Sequence, residues 1–534
     1  MAAPGAMQEH QPLQGAARIW GTIALSGATF MNVLDTSIAN VSLPAIAGNL
    51  GVSPNQGTWV ITSFAVANAI SVPLTGWLSQ RFGQVRLFVA SVLLFVLASW
   101  LCGLAPSMPL LIAARALQGF VAGPMIPLSQ ALLLASYPRA LAGLAMALWA
   151  MTTLVAPVMG PLLGGWITDN FSWPWIFYIN VPVGIVAGFA ALAIYRRRES
   201  VIRRVPIDSV GLALLVVWVG SLQMMLDLGK EMDWFESPVI TILAMTALVG
   251  FVYFLVWELT EDHPVVDLRL FRRRNFWAGT LVTSVGFGLF FGNVVLLPLW
   301  LQQYMGYTAT DAGMVTAPVG LLALVLSPIV GRTIQKVDPR KYASFAFLIF
   351  AVVLWMRSHF NTQTDQFTIL IPTLIQGVAM AFFFIPLVTL TLSGLTPQQM
   401  PSASGLTNFV RITAGALGTS VFTTLWESRA AMHHAHLAES VNAGNPVAMS
   451  TLQTLMSSGL SQQQALAQIN RLVDQQAFML AADDLFRASA WIFLGLIVLV
   501  WMTKAPPRLA AGPGPGPGSG RGPGSSSDAA AGAP

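Results

Sequence analysis

Apolar stretches of about 20 residues, the length that carries a helix across roughly 30 Å of hydrocarbon, recur along this chain with short polar connections between them. Fourteen such windows fall near residues 17–41, 57–79, 86–104, 109–134, 141–166, 175–195, 208–228, 238–258, 276–303, 312–334, 342–358, 367–393, 404–426 and 487–504. Inside a bilayer no water satisfies the backbone, so each window predicts a helix. The chain therefore predicts an all-α polytopic membrane protein. Composition agrees, with 55% of the 534 residues hydrophobic and 9% charged, against about a quarter charged in ordinary soluble domains.

Lys and Arg in short loops set the orientation. With the N-terminus inside, twenty of the 27 basic residues fall on the inner side, grouped around Arg81 and Arg86, Arg196 to Arg204, Arg269 to Arg274, and Arg332 to Lys341. Lys230, Arg357, Arg429, Arg471 and Arg487 fall outside, leaving Arg115 and Arg411 within the membrane. An even number of spans predicts both termini in the cytoplasm. The net charge of +5 arises from these loops and points to no nucleic-acid partner.

Residues 1–16 are read as a cytoplasmic N-terminus without the pattern of a cleaved signal peptide, so the first window is expected to stay as a signal anchor. Residues 505–534, rich in Pro, Gly and Ser, are expected to be a disordered cytoplasmic tail. Cys102, alone, permits no internal disulfide and no metal–thiolate cluster. The long hydrophilic excursion, 427–486, falls outside, and its spacing of Leu466, Ile469, Leu472 and Val473 predicts one apolar face on a surface helix that meets something beyond the membrane.

An internal repeat organises the spans. "PLTGWLSQRFGQVR" from Pro73 aligns without a gap on "PIVGRTIQKVDPRK" from Pro328, and "QGFVAGPMIPL" from Gln118 aligns with one insertion on "QGVAMAFFFIPL" from Gln376, both offsets lying close to 255 residues. Two six-helix halves, 17–198 and 263–504, thus flank an extra two-helix segment, 199–262. Such repeats are frequent in transporters.

Five motifs now stand in order: "LDTSIANVSLPAI" in the first span, "GWLSQRFGQVRLF" at 76–88, "LIAARALQGFVAG" at 111–123, "APVMGPLLGG" at 156–165, and "WPWIFYINVPVG" at 173–184. The chain resembles the major facilitator superfamily, and within it the fourteen-span drug:proton antiporters of the EmrB/QacA group. The resemblance implies the major facilitator fold in a bacterial inner membrane, with hydrophobic toxic compounds exported in exchange for protons. It also implies a tripartite assembly with an EmrA-type periplasmic membrane fusion protein and an outer-membrane channel. It implies likewise a proton gradient as the energy source, with no cofactor. In one departure, Gln80 stands where the family loop after the second span usually carries an acid, while Gly76, Arg81, Gly83 and Arg86 remain as gating candidates. Positive-inside anchoring explains Arg81 and Arg86 equally well.

Asp35 lies about 13 Å below the outer end of the first span and Arg115 about 9 Å below the outer end of the fourth, at 1.5 Å per residue. Intramembrane ionisable groups default to function, and a carboxylate can exchange a proton whereas arginine keeps its own. Asp35 and Arg115 are therefore expected to couple protons, the other reading being an ion pair that ties two helices. The matching place in the second half, near Leu289, holds no acid. Arg411, Gln118 and Asn40 are assigned to the substrate cavity or to tuning its charge. Arg411 can alternatively snorkel or pair. Gly160, Gly164 and Gly165 remove side chains where another helix approaches, and Pro161 permits a kink, which together read as a hinge or as close packing. His433, His434 and His436 lack the cysteines or spaced carboxylates of a metal site, and no metal is expected. Enzyme signatures for acyl transfer, nucleotide binding and zinc hydrolysis are absent from the sequence, so the chain is read as a non-enzyme. The alternative function is a proton-coupled permease for one defined solute.

Overall fold

The computed structural model describes residues 11–138, 141–202, 206–334 and 336–505, apart from the side chains of Pro54, Asn55, Leu154, Val158, Pro161, Leu162, Ala309 and Thr310. The described residues form helices and turns, with no strand among them. In chain order the α-helices are α1 (Gly15–Asn49), α2 (Pro54–Gly57), α3 (Trp59–Ser71), α4 (Thr75–Phe82), α5 (Gln84–Leu104), α6 (Met108–Ala122), α7 (Met125–Ser136), α8 (Ala142–Asn170), α9 (Trp175–Tyr178) and α10 (Asn180–Tyr195). They continue with α11 (Ser209–Leu228), α12 (Pro238–Thr260), α13 (Arg274–Tyr304), α14 (Ala309–Thr316), α15 (Pro318–Thr333), α16 (Pro339–Arg357), α17 (Gln366–Thr391), α18 (Met400–Ala438), α19 (Pro446–Ser457) and α20 (Gln462–Val500).

Helix occupies all fourteen apolar windows. Among the described residues, nine helical segments are long and apolar enough to cross a membrane, or ten with α3 and α4 taken as one bent span. The remaining four windows belong to α1, α8, α18 and α20, of 35, 29, 39 and 39 residues. The 63° bend between α3 and α4 falls at Pro73, which supplies no backbone N–H to continue the ladder.

α1 packs on α8 and α10, α5 on α6 and α10, and α3 on α6. A parallel set joins α13 to α18 and α20, α16 to α17 and α20, and α15 to α17. These two sets meet through α8 against α15 and α7 against α18, and the α11–α12 pair leans on α3 and α18. The helices of the two sets approach closely where the arginine-rich loops lie. Added Cβ atoms at Gly331 and Gly76 would come 2.6 Å from the Gly143 carbonyl and 2.8 Å from the Ser402 Cα.

The excursion at 427–486 departs from a surface helix lying on its own. At 1.5 Å per residue α18 and α20 each extend about 58 Å, nearly twice the hydrocarbon thickness, so both spans continue as helix with α19 between them. The expected single apolar face is divided: Ile469 is buried with Ala465, while Leu466 and Leu472 stay exposed. Arg357, placed outside by sequence, is only 2% exposed. The cytoplasmic N-terminus up to residue 10 and the tail from residue 506 lie outside the described residues.

Candidate functional site

Asp35, an acid within an apolar helix, receives polar partners from α6 and α10, and these are held in turn by α5 and α3. The Arg115 guanidinium, from α6, donates to Asp35 Oδ2 at 2.6 Å, forming an ion pair in which neither side chain is more than 1% exposed. Gln118, one turn further along α6, donates from Nε2 to Asp35 Oδ1 at 3.0 Å and accepts from Arg115 at 2.6 Å through Oε1. Asn180, at the start of α10, donates to the same Oδ1 at 2.7 Å. Ser99 of α5 accepts from Gln118 at 2.6 Å and from Asn180 at 3.3 Å. The Val60 carbonyl of α3 accepts from Arg115 Nε at 3.0 Å, and the guanidinium lies 4.3 Å from the Phe64 ring centroid.

Both carboxylate oxygens are thus engaged in a site closed to solvent. A buried ion pair of this kind is tolerable only when its remaining donors and acceptors are satisfied. Sequence reading identified Asp35, Arg115 and Gln118. It missed Asn180 and Ser99, although Asn180 stands within the quoted motif at 173–184, as a polar residue at the junction between α9 and α10. Asn40 is exposed and stands apart from this cluster.

The glycine motif of α8 reaches α1 immediately beyond Asp35. An added Cβ at Gly160 would overlap the Ser37 side chain, and one at Gly164 would fall 2.8 Å from Ile38 Cγ1 and 3.1 Å from the Ile38 carbonyl oxygen. Gly165 has nothing within 4 Å of such a Cβ. Two glycines therefore let α8 lie backbone-close against the turn of α1 that carries Asp35. The side chain of Pro161 lies outside the described ones.

Arg411 occupies a separate place between the two sets of helices. Buried at 7% exposure, it donates to Asn408 Oδ1 at 2.7 Å, and Asn408 in turn donates to Gln130 of α7 at 3.2 Å. The guanidinium sits 4.5 Å from the Phe287 centroid and 5.4 Å from that of Phe384. The adjoining chamber, which also touches Trp149, Thr283 and Thr407, holds about 10 Å³, close to the space of a single water.

At the loop between α4 and α5, Gly83 adopts φ +89°, a conformation that favours glycine. The Glu199 carboxylate accepts from the backbone N–H groups of Val85 at 3.0 Å and Arg86 at 2.9 Å, and it approaches the Arg86 guanidinium at 4.0 Å. Glu199, from a different loop, thus brings a carboxylate to the start of α5. Arg81 lies 5.5 Å from the Trp77 ring. His433 and His434 contact Asp484 at 2.9 Å and Asn470 at 3.1 Å across the α18–α20 hairpin.

Comparison with known proteins agrees with this architecture. The Major Facilitator Superfamily profile matches residues 25–419. The chain is 52% identical over 501 residues to the multidrug export protein EmrB of Escherichia coli strain K12, covering 94% of this chain and 98% of that one. It is 50% identical over 498 residues to the fatty acid resistance protein FarB of Neisseria gonorrhoeae, covering 93% and 98%. A crystal structure of the human organic anion transporter MFSD10 superposes with a TM-score of 0.57 at 15% identity, over 91% of this chain and all of the other. With the profile spanning most of the chain and relatives above half identity along nearly its whole length, this protein belongs to the Major Facilitator Superfamily.

Proposed function

We propose that this chain is a proton-coupled exporter of hydrophobic toxic compounds in a bacterial inner membrane, and that Asp35 is the group that takes up and releases the proton. The observation that carries this reading is the buried ion pair of Asp35 with Arg115, tied to Gln118 and Asn180, in a bundle whose other walls are largely apolar. The names of the EmrB and FarB relatives support export and resistance. Arg115 keeps its charge throughout, so a proton on Asp35 changes the balance of the pair and frees one of the oxygens that hold α1 to α6 and α10. Ser37 and Ile38, seated on Gly160 and Gly164, carry any shift of that turn to α8, which packs on α15 of the other half. Arg411, Gln118 and Asn40 are proposed to border the substrate path and tune its charge, and the loop with Gly76, Arg81, Gly83 and Arg86 to gate the inner face.

Asp35→Asn preserves size and hydrogen bonding but cannot exchange a proton. Purified and placed in vesicles, this variant is expected to bind hydrophobic compounds normally, release no proton on their addition, and export nothing under an imposed gradient. A stable variant with normal proton exchange would sink the assignment. The hinge is tested by Gly164→Val, which crowds Ile38 and is expected to lower transport far more than melting temperature. Normal export would leave the close contact as packing alone.

The outward hairpin is proposed to dock an EmrA-type periplasmic membrane fusion protein that leads to an outer-membrane channel. Exposed Val447, Met456, Leu466 and Leu472 offer apolar surface there. Deleting residues 440–480 is expected to leave insertion intact and reduce resistance in cells. Undiminished resistance would count against the hairpin as a docking surface. A permease for one defined solute, the alternative, would show dependence on a single compound across a panel of toxic ones.

A further inference from the structure

A second cavity lies away from the ion pair, where the α11–α12 pair meets α18 and the bend at Pro73. It encloses about 300 Å³ and is walled by apolar side chains, chiefly Leu215, Trp218, Phe254, Leu406 and Phe409. That volume falls at the lower end of small-molecule sites, which are mostly apolar with few polar groups. Its walls Phe251 and Leu259 are themselves exposed on the outer surface of α12, so the cavity borders the surface that faces lipid.

The polar feature of this lining is the Trp218 indole. Its ring is held by Phe251 at 4.9 Å, Phe254 at 5.7 Å and Phe409 at 5.8 Å between centroids. The residue is 7% exposed, and its Nε1–H is buried with no acceptor among the described residues. Buried tryptophan N–H groups normally find a partner. Among the described residues no charged side chain lines the cavity. Glu258, between lining residues Leu255 and Leu259, accepts instead from the Val266 N–H at 3.1 Å and turns its other oxygen towards Gly211.

We propose that this cavity binds a neutral hydrophobic compound bearing one hydrogen-bond acceptor, which enters from the membrane and receives the Trp218 N–H. Lack of charge among the described lining residues disfavours an ionic ligand, while the buried N–H gives a ketone, ether or ester an advantage over a hydrocarbon of equal size. α18 separates this cavity from the Arg411 chamber: Leu406, Phe409 and Val410 face the cavity, and Asn408 and Arg411 the chamber. The site thus lies one helix away from the junction of the two halves. Binding here is measured without a gradient, so the result stands apart from the export reading.

Benzophenone tests this directly, being neutral, carrying one carbonyl acceptor and cross-linking to nearby C–H groups under ultraviolet light. The full-length protein in lipid nanodiscs is labelled and the adducts mapped by mass spectrometry, with diphenylmethane as the competitor that lacks the carbonyl. Label is expected to concentrate on peptides holding Leu215, Leu255 and Leu406. Benzophenone is expected to bind about tenfold more tightly than diphenylmethane, the worth of one buried hydrogen bond. Trp218→Phe, which keeps a ring and removes the donor, is expected to erase that preference, and Leu406→Trp to suppress labelling by filling the space. Label spread evenly over the lipid-facing surface would overturn the proposal. So would an unchanged preference in Trp218→Phe, or the absence of any preference in the unaltered protein, the latter being the result expected if a lipid acyl chain is the occupant.

Discussion

The two halves of the bundle carry the same polar framework with different charges. Asp35, Ser99, Arg115 and Gln118 have counterparts 258 positions later in Asn293, Arg357, Thr373 and Gln376. In the first half the guanidinium comes from α6 and faces a carboxylate. In the second it comes from α16, at the place of Ser99, and donates to Gln376 at 2.7 Å and Thr373 at 3.3 Å. Among the described residues Arg357 meets no carboxylate within ion-pair distance, and its Nε has no partner. Asn293 donates to the Leu289 carbonyl at 2.7 Å and to Ser489 at 3.1 Å, while its oxygen accepts nothing among the described residues. One scaffold has therefore kept the glutamine and moved the cation, and of these aligned positions only Asp35 in the first half is an acid.

The largest effect that separates the halves is expected from deleting each cation in turn. Arg115→Met strands the buried Asp35 carboxylate, a loss of about 3–5 kcal/mol for a broken buried pair, seen as a large drop in melting temperature in detergent. Arg357→Met deprives only neutral Gln376 and Thr373 of a partner and removes a cation without a counter-charge. Its effect is expected to stay within about 1 kcal/mol. Equal losses in the two variants would break the comparison, because they would require a counter-charge for Arg357 in another conformation.

Much of the first half was legible because its chemistry sits deep in long apolar windows. Asp35 and Arg115 were matched by depth, since rise per residue is fixed in a helix, together with the family resemblance, and Gln118 was assigned to the substrate cavity. Arg357 was misplaced because it lies at the last residue of α16, where an arginine normally marks a loop. Only packing against α17 and α20 shows that this helix end is covered. Asn180 and Ser99 escaped because a single small polar residue hardly lowers the hydropathy of a window, and its partners come from other helices. The outward start of α20 is different. Its polar, glutamine-rich run read as a surface helix separate from the last span, whereas Ser461 and Gln464 form a capping box that starts one continuous helix through that span.

The smallest expected effect concerns the two loops that the repeat aligns, where Gly83 corresponds to Asp338. In the first half the start of α5 is capped from a distance by Glu199, which accepts the Val85 and Arg86 N–H groups. In the second half Asp338 caps α16 itself, accepting the Arg340 N–H at 3.0 Å and pairing with its guanidinium at 2.7 Å. The hydrogen bond from the Arg340 side chain holds the Asp338 carboxyl below the ordinary carboxylate range. A carboxyl whose folded value is depressed stabilises the fold above the unfolded range, near about pH 4, and loses that contribution as pH falls through the folded value. Removing either cap, by Glu199→Ala or Asp338→Ala, is expected to cost about 1 kcal/mol. The consequences differ in reach. Hydrogen exchange of the Arg340 amide is expected to quicken in Asp338→Ala, with α5 unaffected. Glu199→Ala is expected to quicken Val85 and Arg86 and to loosen the junction after α10, since one carboxylate ties both together. Acidification of the unaltered protein is expected to leave Arg340 protected until the pH falls below the ordinary carboxyl range. Protection at Val85 and Arg86 that survives Glu199→Ala would show that the first half caps this helix without the distant acid, and the contrast between the two loops would fail.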